Sequence, residues 1–474
     1  ALDAAASQAA DGIAAVKLDG SATVLERAAV AELKASLRGP LLLAGDPGYD
    51  TARRILHPQF DKHPALIAQP TGAADVRSAV DFARERELLV AVKCGGHSFS
   101  GKSTCDGGLQ IDLSRMRGAR VDVRARRAFV EGGSLLGEMD HETMSNGLVT
   151  TAGTVSHTGV GGLTLGGGFG RVARRFGLAL DNVMGVDVVT ADGQLRHASA
   201  EENPDLYWAL RGGGGNYGVA TEFEFALHPM PRQIVGGDVT FPIGRARELL
   251  AFYADYCHAA PDEQYVDFSM NAPAEGKDGT VTIHTCISGP ATADADRLLA
   301  PLGKLGTPIE NTIRAQDYVA IQRSWDTTDP RNEGEYFKSG ILVGYPAGLL
   351  DAVLDGFRPH AARGTYFFHQ HAGGAIGRVA PDATAFPHRR ATVEMFALVT
   401  WDLAADGREH VSYIKDWWSK LLPFTDGYYT NEVADDKPPM LDENYRGNIG
   451  RLRQLKRRYD PMNLFRLNAN ILPA

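Results

Sequence analysis

Residues 153–170 read GTVSHTGVGGLTLGGGFG, eight glycines in eighteen positions. A residue without Cβ bends through positive φ and lets another backbone or a ligand come close. Successive N–H groups in such a segment form a nest that suits a pyrophosphate. Gly159, Gly161 and Gly162, or Gly166 to Gly170, nearly meet the dinucleotide fingerprint GxGxxG, and Asp181 loosely meets its downstream acidic position. The segment lies inside a domain, however, and is too long for one tight turn. Two readings stay open on these residues alone: a loop that holds a nucleotide cofactor, and a packing loop with no ligand.

Outward from this segment the chain reads as short strands and helices. On the N-terminal side, Pro64–Gln69 is a strand, Ala73–Arg86 a helix, and Leu88–Lys93 a buried strand running into Cys94-Gly95-Gly96-His97-Ser98. Gly108–Leu113, Arg120–Val123 and Ala128–Glu131 read as further strands. Residues 1–40 read as mostly helix, with good helix formers over Thr23–Leu37. On the C-terminal side, Val183–Thr190 is a strand closed by an Ala191-Asp192-Gly193 turn, Asn203-Pro204-Asp205 caps a helix, and Val219–Leu227 is a strand. Pro229 and Pro231 mark a boundary. Beyond it, helices (Ala246–Cys257, Ala291–Leu305, Gly407–Leu422) alternate with strands (Gln264–Asn271, Thr280–Ile287, Gly364–Gln370, Thr392–Trp401), as helices on one face of an antiparallel sheet would. The fold class is α+β.

Composition narrows the function classes. A chain of 474 residues holds two or three packed units. With 23% charged and 44% hydrophobic residues it is an ordinary globular protein, neither disordered nor a coiled coil. A net charge of −9 argues against nucleic acid as a partner, and no apolar run is long enough to cross a bilayer. Cys94, Cys105, Cys257 and Cys286 form no CxxC pair; one disulfide stays open. The Ala-rich polar stretch from Ala1 has no signal-like core, so the compartment stays open between the cytoplasm and export after loss of a leader. The oligomeric state is open too.

Five stretches then act together: VKCGGHSFSGKSTCDGGLQIDLS (92–114), the segment 153–183, VVTADGQ (188–194), NPDLYWALRGGGGNYGVAT (203–221) and RLRQLKRRYDPMNLFRLNANI (451–471). In this order the chain resembles the berberine-bridge-enzyme-like branch of the vanillyl-alcohol-oxidase superfamily, FAD-linked oxidases with a PCMH-type FAD-binding domain. The resemblance implies an FAD-binding domain built from both chain ends, 1–230 (core about 60–230) and 441–474, with a substrate domain inserted at 231–440. It implies FAD bonded to His97, the histidine of the Gly-Gly-His-Ser motif. A second bond, made in many members by a Cys of a Gly-Thr-Cys triplet, is excluded because Val155 follows Gly153 and Thr154 here. The family's cofactor positions fall on Lys93, Gly95, Gly96, Ser98, Gly153, Thr154, Thr158, Gly159, Gly161, Gly162, Gly167, Gly170, Val219, Asn448 and Asn468. Thr158 matches the position that governs access of O2. It leaves open an oxidase that yields H2O2, a dehydrogenase using another acceptor, and a non-catalytic flavin protein.

Three residues are candidates for catalysis. Tyr429, in Gly427-Tyr428-Tyr429-Thr430-Asn431, resembles the tyrosine of the family's Tyr-x-Asn motif and would take a substrate proton as hydride leaves carbon, a role that needs a lowered pKa; the alternative is a hydrogen-bonding or stacking tyrosine. Gln370 stands where sugar-oxidising relatives place a carboxylate and cannot accept a proton itself. Glu394 is a reserve base or an edge residue. Alternation in TYFFHQHAGGAIGRV (365–379) puts Tyr366, Phe368 and Gln370 on one face and Phe367, His369 and His371 on the other. His369-x-His371 with His388 has zinc-like geometry but no convincing further ligand, so no metal is expected. The basic cluster 451–458 reads as a solvated helix face, and Arg171, Arg174 and Arg175 as a similar face or as phosphate holders. The expected substrate is a small molecule: a sugar, a secondary or benzylic alcohol, or a cyclic amine. The missing Cys and Gln370 weigh against an oligosaccharide.

Overall fold

The stretch Val90–Lys93, with two β-branched valines in four residues, forms a strand that pairs in parallel with Leu109–Asp112, and Leu109–Asp112 pairs in parallel with Leu66–Ala68. The helix Ala73–Glu85 lies between Leu66–Ala68 and Val90–Lys93 in the chain and buries Val76, Ala79, Val80 and Ala83 at helical spacing. In the computed structural model, which describes residues 12–274, 278–289, 292–326, 333–432 and 438–474, these strands belong to a four-stranded sheet. A five-stranded antiparallel sheet follows, in the order Leu195–Ser199, Val183–Val189, Val219–Ala226, Arg127–Glu131, Ala119–Asp122. Its alternation is regular: Phe223 and Phe225 are fully buried while Glu222 and Glu224 are partly exposed.

The N-terminal stretch departs from its helical expectation. Gly12–Val16 and Ala22–Glu26 form a hairpin, and only Arg27–Ser36 is helix; residues 1–11 lie outside those described. The hairpin is fixed by tertiary bonds, with the Val16 N–H donating to the Gly107 carbonyl (2.8 Å) and the Leu89 N–H to the Val16 carbonyl (3.0 Å). These override the helix propensity of Thr23–Leu37.

Among the described residues, eight strands form the largest sheet. Its main ladder runs Glu333–Leu342, Val393–Asp402, Gly364–His371, Gln264–Ala272, Thr280–Ile287, Gln233–Pro242, antiparallel throughout. The strands Gln233–Pro242 and Glu333–Leu342 were not expected from the sequence. The helices Ala246–Ala259, Leu349–Gly356 and Arg408–Leu421 cover one face, where Leu250, Tyr253, Val353, Ile414 and Trp417 pack on Phe268, Ile283, Phe367 and Met395. The third expected helix runs Thr292–Gly303; Ala291 lies outside the described residues. The opposite face of the sheet looks back toward the glycine segment. The closing residues return to the first half of the chain: Leu452, Leu455, Tyr459 and Ile471 share a core with Phe223, Phe225, Val186 and Leu206.

Charges that read as surface are in the interior. Arg171 donates to the Thr154 carbonyl (3.1 Å) and to Gln322 Oε1 (2.9 Å). Arg174 donates to the carbonyls of Gln264 and Ala260, and Arg175 to that of Ser288. Arg174 and Arg175 thus tie the residues after the glycine segment to the neighbouring sheet, and Arg171 ties the segment to the helix Tyr318–Gln322; the three are not a solvated face. Lys456 is likewise fully buried, 2.6 Å from Asp460 Oδ2, and donates to the Asn216 carbonyl, so the 451–458 cluster is not wholly a solvated face. All four cysteines are free, and no helix among the described residues is long and apolar enough to cross a membrane.

One buried pair joins the two halves. Arg389 reaches both oxygens of Asp181 (2.8 and 2.9 Å), with the guanidinium almost wholly hidden. Removing one partner of such a pair leaves an uncompensated buried charge, so Asp181→Asn is expected to lower unfolding free energy by roughly 3 kcal/mol. A urea unfolding curve would show it as a lower midpoint at unchanged slope; an unmoved midpoint would assign the pair no net stability.

Candidate active site

The Gly-Gly-His-Ser turn, the glycine segment and the open face of the large sheet enclose one cavity of about 770 Å3. The turn and the glycine segment meet backbone against backbone. A Cβ on Gly95 would come within 2.5 Å of the Gly159 nitrogen, and one on Gly159 within 2.4 Å of the Gly95 nitrogen. Gly96 adopts φ +69°, a left-handed value that favours glycine and turns the chain into His97. A Cβ on Gly162 would meet no protein atom within 4 Å; this position borders the cavity.

The His97 imidazole lines the cavity, yet its Nε2 is closed to solvent and has no hydrogen-bond partner. Its ring stands edge-on to Phe99 at 5.4 Å and beside His157 at 5.1 Å. Burial, with His157 and His57 nearby, pushes its pKa down to about 3. The ring is therefore neutral at physiological pH and keeps a nucleophilic lone pair.

Of the expected cofactor positions, Gly95, Gly96, Ser98, Gly153, Thr154, Thr158, Gly159, Gly161, Gly162 and Asn468 border the cavity, as does Val155. Five do not. The Lys93 ammonium lies under the sheet and donates to the Ala52 carbonyl at 2.6 Å. Val219 is turned into the core, while Gly218 and Ala220 on either side face the cavity. Asn448 donates to the carbonyls of Pro381, Thr384 and Ala385. Gly167 and Gly170 serve packing: a Cβ there would meet the Tyr429 ring at 2.8 Å and the Ala152 carbonyl at 1.7 Å. Sequence reasoning missed Gly214 and Gly215 as cavity wall, although that glycine cluster was visible.

The sheet supplies the facing wall. Tyr366, Phe368 and Gln370 line it from Gly364–His371, Phe396 and Leu398 from Val393–Asp402, Ser269 and Asn271 from Gln264–Ala272, and His284 from Thr280–Ile287. Trp325 closes one end, with Phe368 edge-on to it at 5.5 Å. His369 and His371 point to the helix side, where His369 Nδ1 meets the Tyr345 hydroxyl (3.0 Å) and His371 Nε2 the Cys257 carbonyl (3.0 Å). His388 pairs with Asn444. The three histidines thus have separate partners, and no group of metal-ligating side chains occurs among the described residues.

Tyr429 reaches the cavity, but its hydroxyl is engaged by the glycine segment. It accepts from the Gly168 N–H (2.8 Å) and Asn431 Nδ2 (2.7 Å) and donates to the Leu163 carbonyl (3.3 Å). Burial, with Glu432 and Glu394 nearby, raises its pKa well above 10, opposite to what a base requires. These bonds tie Tyr429 to the glycine segment, and the raised pKa weighs against the expected role of Tyr429 as proton acceptor. Glu394 is not an edge residue. It is fully buried, pairs across the strand with Gln370, and faces the Glu432 carboxyl beside the Ser339 hydroxyl. Glu432 itself borders the cavity. Burial and mutual repulsion hold Glu394 far above the carboxylate range, and burial pushes Glu432 up to about 8. Sequence reasoning missed Glu432, whose only signal was its place three residues after Tyr429.

Comparison with known proteins agrees with this fold. Residues 64–199 match the family described as FAD binding domain, and residues 428–472 match the family described as berberine and berberine like. An FAD-linked oxidoreductase of Dictyostelium discoideum is 32% identical over 86% of this chain and 89% of its own length. The (R)-6-hydroxynicotine oxidase of Paenarthrobacter nicotinovorans is 31% identical over 92% of this chain and 97% of its own. Among solved structures, 6-hydroxy-D-nicotine oxidase from Arthrobacter nicotinovorans superposes with a TM-score of 0.85 at 29% identity, covering 93% of this chain and 99% of that one.

Proposed function

Because this chain belongs to the berberine-bridge-enzyme-like family of FAD-linked oxidoreductases, we propose that it oxidises a C–OH or C–N carbon of a small flat molecule, with FAD bonded through His97 alone and O2 as final acceptor, giving hydrogen peroxide. One observation carries the reading: a single cavity has a buried, unpartnered imidazole on its glycine-rich wall and an aromatic sheet face opposite.

The residues present fit FAD. The His97 nitrogen needs a partner, Gly162 leaves room where a side chain would intrude, and the cavity wall runs on through Gly214, Gly215 and Gly218 to Leu467–Ala469. His97 would hold the cofactor covalently, with Gly95, Gly96, Gly159, Gly161 and Gly162 giving close backbone approach. When bound, FAD supplies the hydride acceptor. Tyr366, Phe368, Phe396 and Trp325 would orient a flat ring against it, which favours an aromatic alcohol or cyclic amine over an oligosaccharide. The Glu394–Glu432 pair would take the substrate's proton, and Gln370, opposite Glu394 in the ladder, would bind substrate by hydrogen bonding. The enclosing walls would keep bulk water from the reacting carbon.

The test is an anaerobic screen of aromatic alcohols, cyclic amines and oligosaccharides for bleaching of the flavin, repeated in air with peroxide detection. Failure of every class to bleach it would overturn the reaction; bleaching without peroxide would make the enzyme a dehydrogenase. Thr158 borders the cavity as the proposed gate. Thr158→Gly is expected to raise, and Thr158→Leu to lower, the rate of reoxidation by O2 by about tenfold each, equal to about 1.4 kcal/mol of barrier. Stopped-flow reoxidation indifferent to both changes would remove Thr158 from that role.

A further inference from the structure

The sheet face that looks into the cavity is largely aromatic, but near Trp325 it carries a hydrogen-bonded chain. Ser269 Oγ lies 2.9 Å from His284 Nε2, and His284 Nδ1 lies 2.8 Å from Asp238 Oδ1. The three residues stand on the neighbouring strands Gln264–Ala272, Thr280–Ile287 and Gln233–Pro242, and the register sets Asp238 directly opposite His284. The strand ladders thus fix the chain in place. His284 is further held by Trp325, edge-on at 5.0 Å, whose other contacts include the Arg171 guanidinium at 4.6 Å.

The direction of these bonds follows from the chemistry of the end group. An ionised carboxylate only accepts, so in the neutral imidazole Nδ1 of His284 carries the hydrogen and Nε2 is bare. Bare Nε2 accepts the Ser269 hydroxyl proton. Ser269 Oγ, with its one hydrogen committed, then has only lone pairs to offer the cavity it borders. Behind the chain, a second cavity of about 150 Å3 is bordered by Asp238, His284 and Arg171. Nothing in the proposed oxidation uses these groups.

We propose that Ser269, polarised by His284 and Asp238, is the acceptor site for a hydrogen-bond donor carried on the substrate's ring, so that the substrate is a flat aromatic molecule bearing a ring hydroxyl or N–H. This rests on the proposed use of the cavity for a flat substrate and names the polar group that substrate must present. A ring with only an ether or a carboxylate at that point would leave the Ser269 lone pairs unmatched, and the Asp238 charge disfavours a second anion.

The test uses the flavin-loaded enzyme, isothermal calorimetry and two probes, 2-naphthol and 2-methoxynaphthalene. Neither probe has a carbon that can give up hydride, so the outcome is separate from that of the oxidation itself. The wild type is expected to bind 2-naphthol roughly tenfold more tightly, the size of one well-made buried hydrogen bond. Ser269→Ala should bring 2-naphthol down to the level of the ether without moving the ether, and Ser269→Thr should keep the preference. A merely structural role for Ser269 would weaken both probes equally. Equal binding by the wild type, or a preference that survives Ser269→Ala, would overturn the proposal. Should Ser269→Ala fail to fold, the wild-type comparison and Ser269→Thr decide it.

Discussion

Precipitated with acid, the wild-type protein is expected to carry its flavin absorbance into the pellet, and His97→Ala to leave all of it in the supernatant. The expectation rests on the state of the imidazole. Burial holds its pKa near 3, so a nucleophilic nitrogen is present at any physiological pH, and Nε2 has no competing hydrogen bond. Val155 stands where a cysteine would be needed, and the Cys94 thiol, beside the same turn, is pushed up to about 11 by burial and so stays protonated. Removing one side chain should therefore abolish the bond outright, with no residual fraction. Colour left in the pellet of His97→Ala would reveal another tether; a colourless wild-type pellet would make the flavin non-covalent.

The part of the site built from contiguous chain was the legible part. Gly95-Gly96-His97 and residues 153–162 declare themselves because a run of glycines has few purposes, and in the structure the two segments touch through atoms that leave no room for a Cβ. Period-two alternation placed Tyr366, Phe368 and Gln370 together, and these side chains line the cavity while His369 and His371 face the helices. What was not legible depends on register between distant strands. Glu394 and Glu432 are far apart in sequence, and the Ser269–His284–Asp238 chain needs three strands aligned to the residue. The buried arginines were misread for a related reason. Charge predicts exposure unless a partner is known, and the partners of Arg174 are backbone carbonyls at residues 260, 264 and 372.

The proposed base is the Glu394–Glu432 pair. A base works best when its pKa lies near the working pH, and ordinary carboxylates lie too low. The Glu394–Glu432 pair is lifted by burial, and two carboxyls in contact resist losing both protons, so the pair gives up its first proton near or above neutrality. Fully protonated, the pair has no carboxylate to take up a proton; once it has lost one, Glu432, which borders the cavity, can serve as the acceptor while Glu394, held higher, keeps the remaining hydrogen behind it. The rate of flavin reduction by substrate should therefore be low at pH 6 and rise through about 8, where Glu432 titrates. Glu432→Gln keeps the size of the side chain but cannot take up a proton. It is expected to slow flavin reduction by roughly 10²–10⁴-fold, the usual worth of a general base, and to flatten the pH profile while leaving substrate affinity nearly unchanged. Tyr429→Phe, by contrast, removes a hydroxyl whose bonds go to the glycine segment, so the pH profile should keep its shape. Stopped-flow reduction across that pH range separates the two residues: a profile abolished by Tyr429→Phe and preserved in Glu432→Gln would return the proton to the tyrosine.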